Sequence, residues 1–566
     1  MFIRSSRSQG RTYLRLVEGY RDAQGRTRHR QIAQLGRADQ LTEDKVQSII
    51  RGLKRHTGLP LVDSESAEFE PSRSLGGAWL LTEIWRALGL DEGLVRALRS
   101  SYRQFDLEAV IRAMVFNRLL DPQSKLGVLR WLERVHLPGV DQRRIDHNQL
   151  LRAMDALIEH REAVEAVVAE QIRPLLDQDL TVTFYDVTTV RIHGEHRLEA
   201  DLRQPGMSKD TGGIARQFAL GVVQTAEGLP IAHEVFEGNV AESRTLAPMI
   251  TRLLERFRLQ RVVVVADRGL LSLDNVDTLE ALGREQGLAV DYILAVPGRR
   301  YGEFTELMAR LHPELAREAE AEAGGGEAVT ETTWAGRRLV VAHNPERAAE
   351  QSAHRRRRIE RVDELGQRLA RRLDNQDAGK PGRGRRSSDR SAYQRFHKAV
   401  VEQRLSGIIK ADLTAPAFHY EIDEEAWAAA ERLDGKLLLV TSLEDREAGE
   451  IVERYRSLAD IERGFRALKG TLDIAPVHHR LPERIRAHAL ICFLALVVYR
   501  VLRMRLRANP PADVHSVERL LERLETVQLH HLTLDGESIQ GISMDAAQRD
   551  LFKSLEVTPP RRDIAV

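Results

Sequence analysis

The sequence predicts an α/β protein built around a mixed sheet, and three observations lead there. Residues 181–185 (Thr-Val-Thr-Phe-Tyr) are β-branched or aromatic, the composition of a buried strand, and Asp186 follows where strand is expected to give way to turn. Residues 262–266 (Val-Val-Val-Val-Ala) form a continuous apolar run suited to a strand covered on both faces, and Asp267 follows it in the same way. Around these two, strand-like and helix-like stretches alternate, the pattern of a sheet with helices on its faces.

A chain of 566 residues has length for several domains with cores of their own. Charged residues make up 30% and apolar ones 42%, and the formal net charge is +1, so overall charge selects no partner. Its distribution says more. Residues 1–60 carry 13 Lys and Arg against 5 Asp and Glu, and residues 351–410 carry 17 against 7. Basic patches are the electrostatic footprint of a polyanion, although each also reads as a solvated, Arg-rich face. Cys492 is the single cysteine. That excludes intrachain disulfides and a Cys-based zinc cluster, and it fits a reducing cytoplasm. The N-terminus lacks an apolar signal core. The most apolar stretch, 489–499, is too short to span a bilayer and reads as a buried helix.

In chain order, strand-like residues 13–17 and 28–34 flank Asp22-Ala23-Gln24-Gly25, the turn chemistry of a hairpin. Arg15, Arg21, Arg26, Arg28 and Arg30 make this N-terminal hairpin basic. With a short helix at 42–56 it forms a first unit, 1–62, and 63–73 reads as a linker. Helical periodicity governs a second unit, 75–178. Trp79, Leu80, Ile84, Trp85 and Leu88, then Leu107, Val110, Ile111 and Met114, recur at the helical period. Ser124, after the break at Asp121-Pro122-Gln123, is placed to cap the next helix. This unit is a candidate for DNA binding, without a clean helix-turn-helix.

The core begins at 179. Strand 181–185 leads to a hairpin (216–224 and 229–236 around Thr225-Ala226-Glu227-Gly228), a helix at 242–257, a strand at 261–266, a helix at 273–282 and a strand at 291–296. Strand, hairpin, helix, strand, helix, strand is the order of an RNase H-like core. From 299 to 445 the alternation stops. An acidic, Gly-rich loop is expected at 318–326, a strand at 337–342 and a very basic helix at 354–372. A mobile Gly-Arg-Ser stretch follows at 374–391, then strands at 418–422 and 436–441 around a helix at 424–432. These read as an insertion with strands and helices of its own. The core resumes over 446–508, with a helix at 446–468 whose inner face is Leu458, Ile461, Phe465 and Leu468, and another at 484–506. The tail, 509–566, holds a helix at 517–524 and short strands.

Phosphodiester cleavage with two metal ions needs acidic ligands that hold the ions about 3.5–4 Å apart. Mg²⁺ takes oxygen ligands and keeps several waters, so few carboxylates suffice. Asp186 and Asp267, at neighbouring strand ends, supply two, and the helix after the insertion is the natural source of a third. There Tyr455, Glu462 and Lys469 are spaced by seven residues, close to two turns, so they fall on one stripe. Glu462 would face the metal and Lys469 a phosphate. Singly, each residue has a plain structural reading: an aspartate ending a strand is common, a helix glutamate is normally solvated, and a helix tyrosine normally belongs to a core. The joint pattern is what points to chemistry.

The chain resembles bacterial insertion-sequence transposases of the DDE type, in the superfamily marked by Tyr-(2)-Arg-(3)-Glu-(6)-Lys. The resemblance covers most of the chain. It is carried by the basic N-terminal hairpin, residues 206–210 (Gly-Met-Ser-Lys-Asp), 228–230 (Gly-Leu-Pro), 237–239 (Glu-Gly-Asn), 266–269 (Ala-Asp-Arg-Gly) and 461–469 (Ile-Glu-Arg-Gly-Phe-Arg-Ala-Leu-Lys). It implies that Asp186, Asp267 and Glu462 are the catalytic, metal-binding triad, with Mg²⁺ as cofactor and Mn²⁺ able to substitute. It implies that the segment between Asp267 and Glu462 is the β-rich insertion such enzymes carry, and that Tyr455, Lys469, Arg268 and Lys209 meet DNA. Further implied are double-stranded DNA (transposon ends and target) as partner, a homodimer in a synaptic complex, and a bacterial, nucleoid-associated location. The implied reaction frees a 3′-OH at the transposon end by hydrolysis and then uses that hydroxyl for strand transfer, first onto the opposite strand as a hairpin and later onto target. One departure stands out. Leu458 occupies the signature arginine position, and Arg466, one turn after Glu462, is the candidate to take over its phosphate contact.

Two other readings are weaker. A phosphatase of the Asp-x-Asp kind needs a second carboxylate at 188, where the residue is threonine. A catalytically inactive DNA-binding regulator derived from a transposase has no need of all three acids and the lysine, and all four are present.

Overall fold

The computed structural model describes residues 2–57, 67–175, 182–194, 201–208, 212–257, 261–266, 273–286, 289–321, 326–380, 386–412, 415, 417–458, 466–511, 513–534 and 537–561. They fall into two compact units. The smaller draws on 1–73, 528–543 and 561–566, the larger on 74–527 and 544–560.

In the smaller unit, strands Phe2–Ser8, Arg11–Arg21 and Thr27–Arg37 form an antiparallel sheet in that order. The Asp22 carboxylate accepts from the backbone N–H groups of Gln24 (3.1 Å) and Arg26 (2.9 Å), which fixes the turn between the second and third strands. Gly25 there takes a φ of 76°, a conformation glycine adopts without Cβ strain. Arg28 pairs with Asp22 and Arg30 with Glu18, exposed pairs that contribute little stability each. Helix Glu43–Thr57 follows. Part of the stretch expected as a linker is strand instead: Ala67–Phe69 pairs with Gln528–Leu534, which pairs in turn with Glu537–Ser543.

The larger unit opens with helices Gly76–Ala87, Leu90–Leu98, Leu107–Leu120, Lys125–Arg134, His147–Glu159 and Arg161–Ile172. Ser124 caps the fourth, its hydroxyl accepting from the Gly127 N–H at 3.2 Å. Helix Pro482–Ala508 packs against Leu107–Leu120 and His147–Glu159, and also against the sheet. It extends well beyond the apolar stretch 489–499. Its length and composition would suit a membrane span, but 94% of its apolar window is buried inside the chain, so it is an internal helix.

The sheet has nine strands: β1 (Val182–Arg191), β2 (Gln204–Met207), β3 (Ile214–Thr225), β4 (Pro230–Glu237), β5 (Arg261–Ala266), β6 (Ala289–Ala295), β7 (Ala328–Trp334), β8 (Arg337–His343) and β9 (Lys436–Thr441). Their order is β7-β8-β9-β6-β5-β1-β3-β2, with β4 also paired to β3. β5 runs parallel to both β1 and β6, while β3 is antiparallel to β1 and β4. The strands of the expected insertion therefore do not stand apart. β9 pairs with β6, so β7, β8 and β9 widen the same sheet.

The helical part of that segment makes its own core. Helix Pro345–Asp377 extends past the basic stretch on both sides, and its Ile359, Val362, Leu369 and Leu373 cluster with Phe396 and Val400 of helix Asp389–Glu402. Both helices run into the stretch expected to be mobile, 374–391, of which 381–385 lies outside the described residues. Helix Thr305–Ala321 likewise occupies the start of the expected acidic loop.

Candidate active site

Asp186 sits in the middle of β1, not at its end. The strand continues because β3 pairs with it from Thr183↔Thr225 to Arg191↔Gln217, so the backbone keeps its hydrogen-bond partners well past Tyr185. What stops near Asp186 is the described parallel pairing with β5, whose last register pair is Tyr185↔Ala266. Asp186 is thus the first β1 residue beyond that register, with Val222 of β3 opposite it. Its carboxylate is half-buried, and Oδ1 accepts from the Val187 N–H at 2.7 Å. Strand alternation sets it on one face with Phe184, Thr188 and Val190, all buried. Aspartate is disfavoured in strands, and desolvating a carboxylate beside apolar neighbours costs free energy. Such a residue is a candidate for function rather than packing.

A later segment returns to the same strand. After the π-helical turn Ala467–Thr471, the Leu472 N–H donates to the Ala467 carbonyl (2.8 Å) and the Ile474 N–H to the Leu468 carbonyl (3.0 Å). Val477 then bridges in parallel to Ile192. Its N–H donates to the Arg191 carbonyl (3.0 Å), its carbonyl accepts from the His193 N–H (2.8 Å), and the rings of His193 and His478 stack with centroids 4.9 Å apart. The chain just beyond Lys469 is therefore fixed to Asp186's own strand, about 20 Å along it at the usual rise per residue. No motif in the sequence marks this docking.

Tyr455 is half-buried near the end of helix Ala448–Arg456. The continuous helix expected over 446–468 stops here. The Ser457 hydroxyl donates to the Arg454 carbonyl (2.7 Å), and the Leu458 N–H closes a tighter, three-residue loop onto the Tyr455 carbonyl (3.1 Å). Leu458 itself is buried. Lys469, half-buried, belongs to the wider π-helical turn, and Arg466 beside it is exposed. The seven-residue spacing thus does not set Tyr455 and Lys469 on a stripe of one α-helix. Asp267, Arg268, Lys209 and Glu462 lie outside the described residues. Among the described residues, no three His, Cys, Asp or Glu side chains gather into a metal-holding group.

The arginine run 355–358 divides. Arg355 is paired with the buried Asp434, and Arg358 Nη1 donates to the Gln403 carbonyl (3.0 Å). Arg356 and Arg357 are exposed.

Residues 177–498, more than half of the chain, match the family model of the transposase DDE domain. The chain belongs to the DDE transposases. A second match, to the N-terminal domain of the IS1634 family transposases, covers residues 3–65 and makes this an insertion-sequence transposase. No curated protein matches it. In the transposase, the DDE match takes in the whole nine-stranded sheet with Asp186, then Tyr455 and Lys469, and ends inside helix Pro482–Ala508. The helices between Gly76 and Ile172 lie outside both matched spans.

Proposed function

We propose that this transposase binds the ends of its insertion sequence and carries out metal-dependent cleavage and strand transfer on double-stranded DNA. Asp186, Asp267 and Glu462 are its catalytic acids, on an RNase H-like core. Strand order supports the core. Leaving aside the short β2, the strands β4-β3-β1-β5-β6 lie in the order third, second, first, fourth, fifth, with the last two parallel to the first. The observation that supports the two aspartates is register. Tyr185 and Ala266 are paired across β1 and β5, and each is followed in the chain by an aspartate. The bridge from Val477 to Ile192 ties the segment after Lys469 to the same strand.

Asp186 offers hard oxygen donors, one of them held by the Val187 N–H, and so suits Mg²⁺ or Mn²⁺. When bound, such ions supply a nucleophilic water at neutral pH and relieve charge on the leaving oxygen. The chain's own residues position the DNA. β1, laddered to β3 through Asp186, fixes the backbone from which the carboxylate projects. Tyr455, Lys469, Arg268 and Lys209 contact the DNA, and Arg466 takes the phosphate contact left open by Leu458. Arg356, Arg357 and the basic N-terminal strands add affinity that falls steeply with salt. The freed 3′-OH then serves as nucleophile in strand transfer. A homodimer pairing two ends, in a bacterial cytoplasm and associated with the nucleoid, completes the proposal. The test is Asp186→Ala. It should bind end DNA as wild type does and leave it unnicked in Mg²⁺; nicking at the wild-type rate would remove Asp186 from the site.

A further inference from the structure

We propose that a cavity in the larger unit holds a backbone phosphate of the bound DNA. The cavity is about 540 Å³ and lies between the turn at 466–471, the C-terminal end of helix Pro482–Ala508 and the start of helix Val517–Glu525. Arg466, Arg503, Arg507 and His515 line it, and Glu518 is the one acid among the described lining residues. Glu518 also holds the three walls together: Thr471 Oγ1 donates to its Oε1 at 2.8 Å and the Tyr499 hydroxyl at 2.9 Å. Among the described lining residues, guanidinium groups outnumber carboxylates. The first turn of helix Val517–Glu525 adds the positive end of its dipole. Guanidinium forks match phosphate oxygens in shape as well as charge.

Position favours a nucleic-acid strand over a small solute. Arg466 lines this cavity and precedes Lys469 by less than one turn, so a strand meeting Lys469 passes the opening. The inference rests on the DNA-binding reading above, but Arg503 and Arg507 belong to neither the acidic triad nor the signature residues. A competing role for Arg507 is structural, since a cation in the last turn of a helix relieves its dipole. A free mononucleotide would offer the same phosphate chemistry as the DNA backbone.

The test uses the full chain as wild type, Arg503→Gln/Arg507→Gln, and Arg507→Gln alone, whose site is exposed and tolerant. Affinity for an end-repeat duplex and an unrelated duplex is measured by fluorescence anisotropy across a salt series. Both duplexes should be weakened alike by the double variant, and the slope of log Kd against log salt should shrink by about 1 for each phosphate that the protein no longer neutralises. The single variant should show the smaller part of this, with an unchanged melting temperature. An unchanged slope in both variants overturns the proposal, with or without a lower melting temperature. So does stabilisation of wild type but not the double variant by deoxyadenosine monophosphate, if the DNA slope stays put. Asp186→Ala, run alongside, should keep the full slope. Should it nick like wild type, the catalytic proposal fails while the phosphate site stands.

Discussion

Gly221 lies across from Val187 on β3, and the ring of Tyr185 packs over it. A Cβ at this position would meet the Tyr185 hydroxyl oxygen at 2.7 Å, its Cε2 at 2.9 Å and Phe236 Cε2 at 3.2 Å. The Tyr185 ring has little slack. Tyr185 is 1% exposed, and β3 is bonded on both sides, to β1 and β4. Overpacking a core by one methyl costs about 1–3 kcal/mol, and alanine recovers about 0.5–1 kcal/mol of backbone entropy in a strand. Gly221→Ala should therefore lose about 1–2 kcal/mol net. Because Tyr185 directly precedes Asp186, the displaced ring moves the carboxylate, and nicking should fall more than DNA affinity does. Tyr185→Phe removes the closest approach, so in the Gly221→Ala background it should restore part of both deficits. Melting temperature and the rate of nicking a labelled end duplex measure the effect. A Gly221→Ala protein that melts and nicks like wild type would falsify this account of the strand.

Glu165→Gln should cost about 3–5 kcal/mol, the usual result of stranding buried charge. Its carboxylate, 1% exposed, receives Arg161 Nε and Arg252 Nη2 at 2.8 Å each and is paired with Arg256 as well. An unaltered urea midpoint would show that Glu162 and Glu234 suffice for these arginines. Acidification should lower the melting temperature from about pH 6.5 downward. Burial first, and nearby cations second, hold His233 and His488 well below the usual histidine range and push His479 to about 3. For His233 these effects outweigh Glu165, 3.6 Å away. Such groups are neutral in the native state but protonate on unfolding, so their contribution is complete above about pH 6.5. Below it they lose up to about 1.4 kcal/mol per pH unit each. A midpoint that stays level from pH 6.5 to 5 contradicts this. Chelation with EDTA should stop nicking and leave DNA affinity intact, with Mn²⁺ restoring activity; nicking that survives EDTA would dismiss the metal.

Local chemistry is readable where it depends on a few neighbouring residues. Ser124 caps its helix because a hydroxyl before a helical run has one good partner, and the 225–228 turn joins β3 to β4 for a similar reason. Pairing is not readable. Nothing in residues 181–189 says that β3 follows β1 as far as Arg191, so Asp186 reads as a strand end. Nor does composition reveal that β7, β8 and β9 join the main sheet through β6. Helix Thr305–Ala321 is hidden by Pro313 within it and the glycines after it. The stop at Arg456 depends on one serine hydroxyl and one short backbone bond, which a heptad count cannot anticipate. The docking of Val477 beside the strand of Asp186 emerges only in three dimensions.

The internal helix Pro482–Ala508 also bears on how the protein is born. It is made some 300 residues after β1, which at ribosomal speeds of about 5–20 residues per second is a wait of roughly 15–60 s. Until it emerges, the helices and strand that it covers present bare apolar surface. Nascent chains halted before it would lack a finished core and should fall to chaperones and proteases.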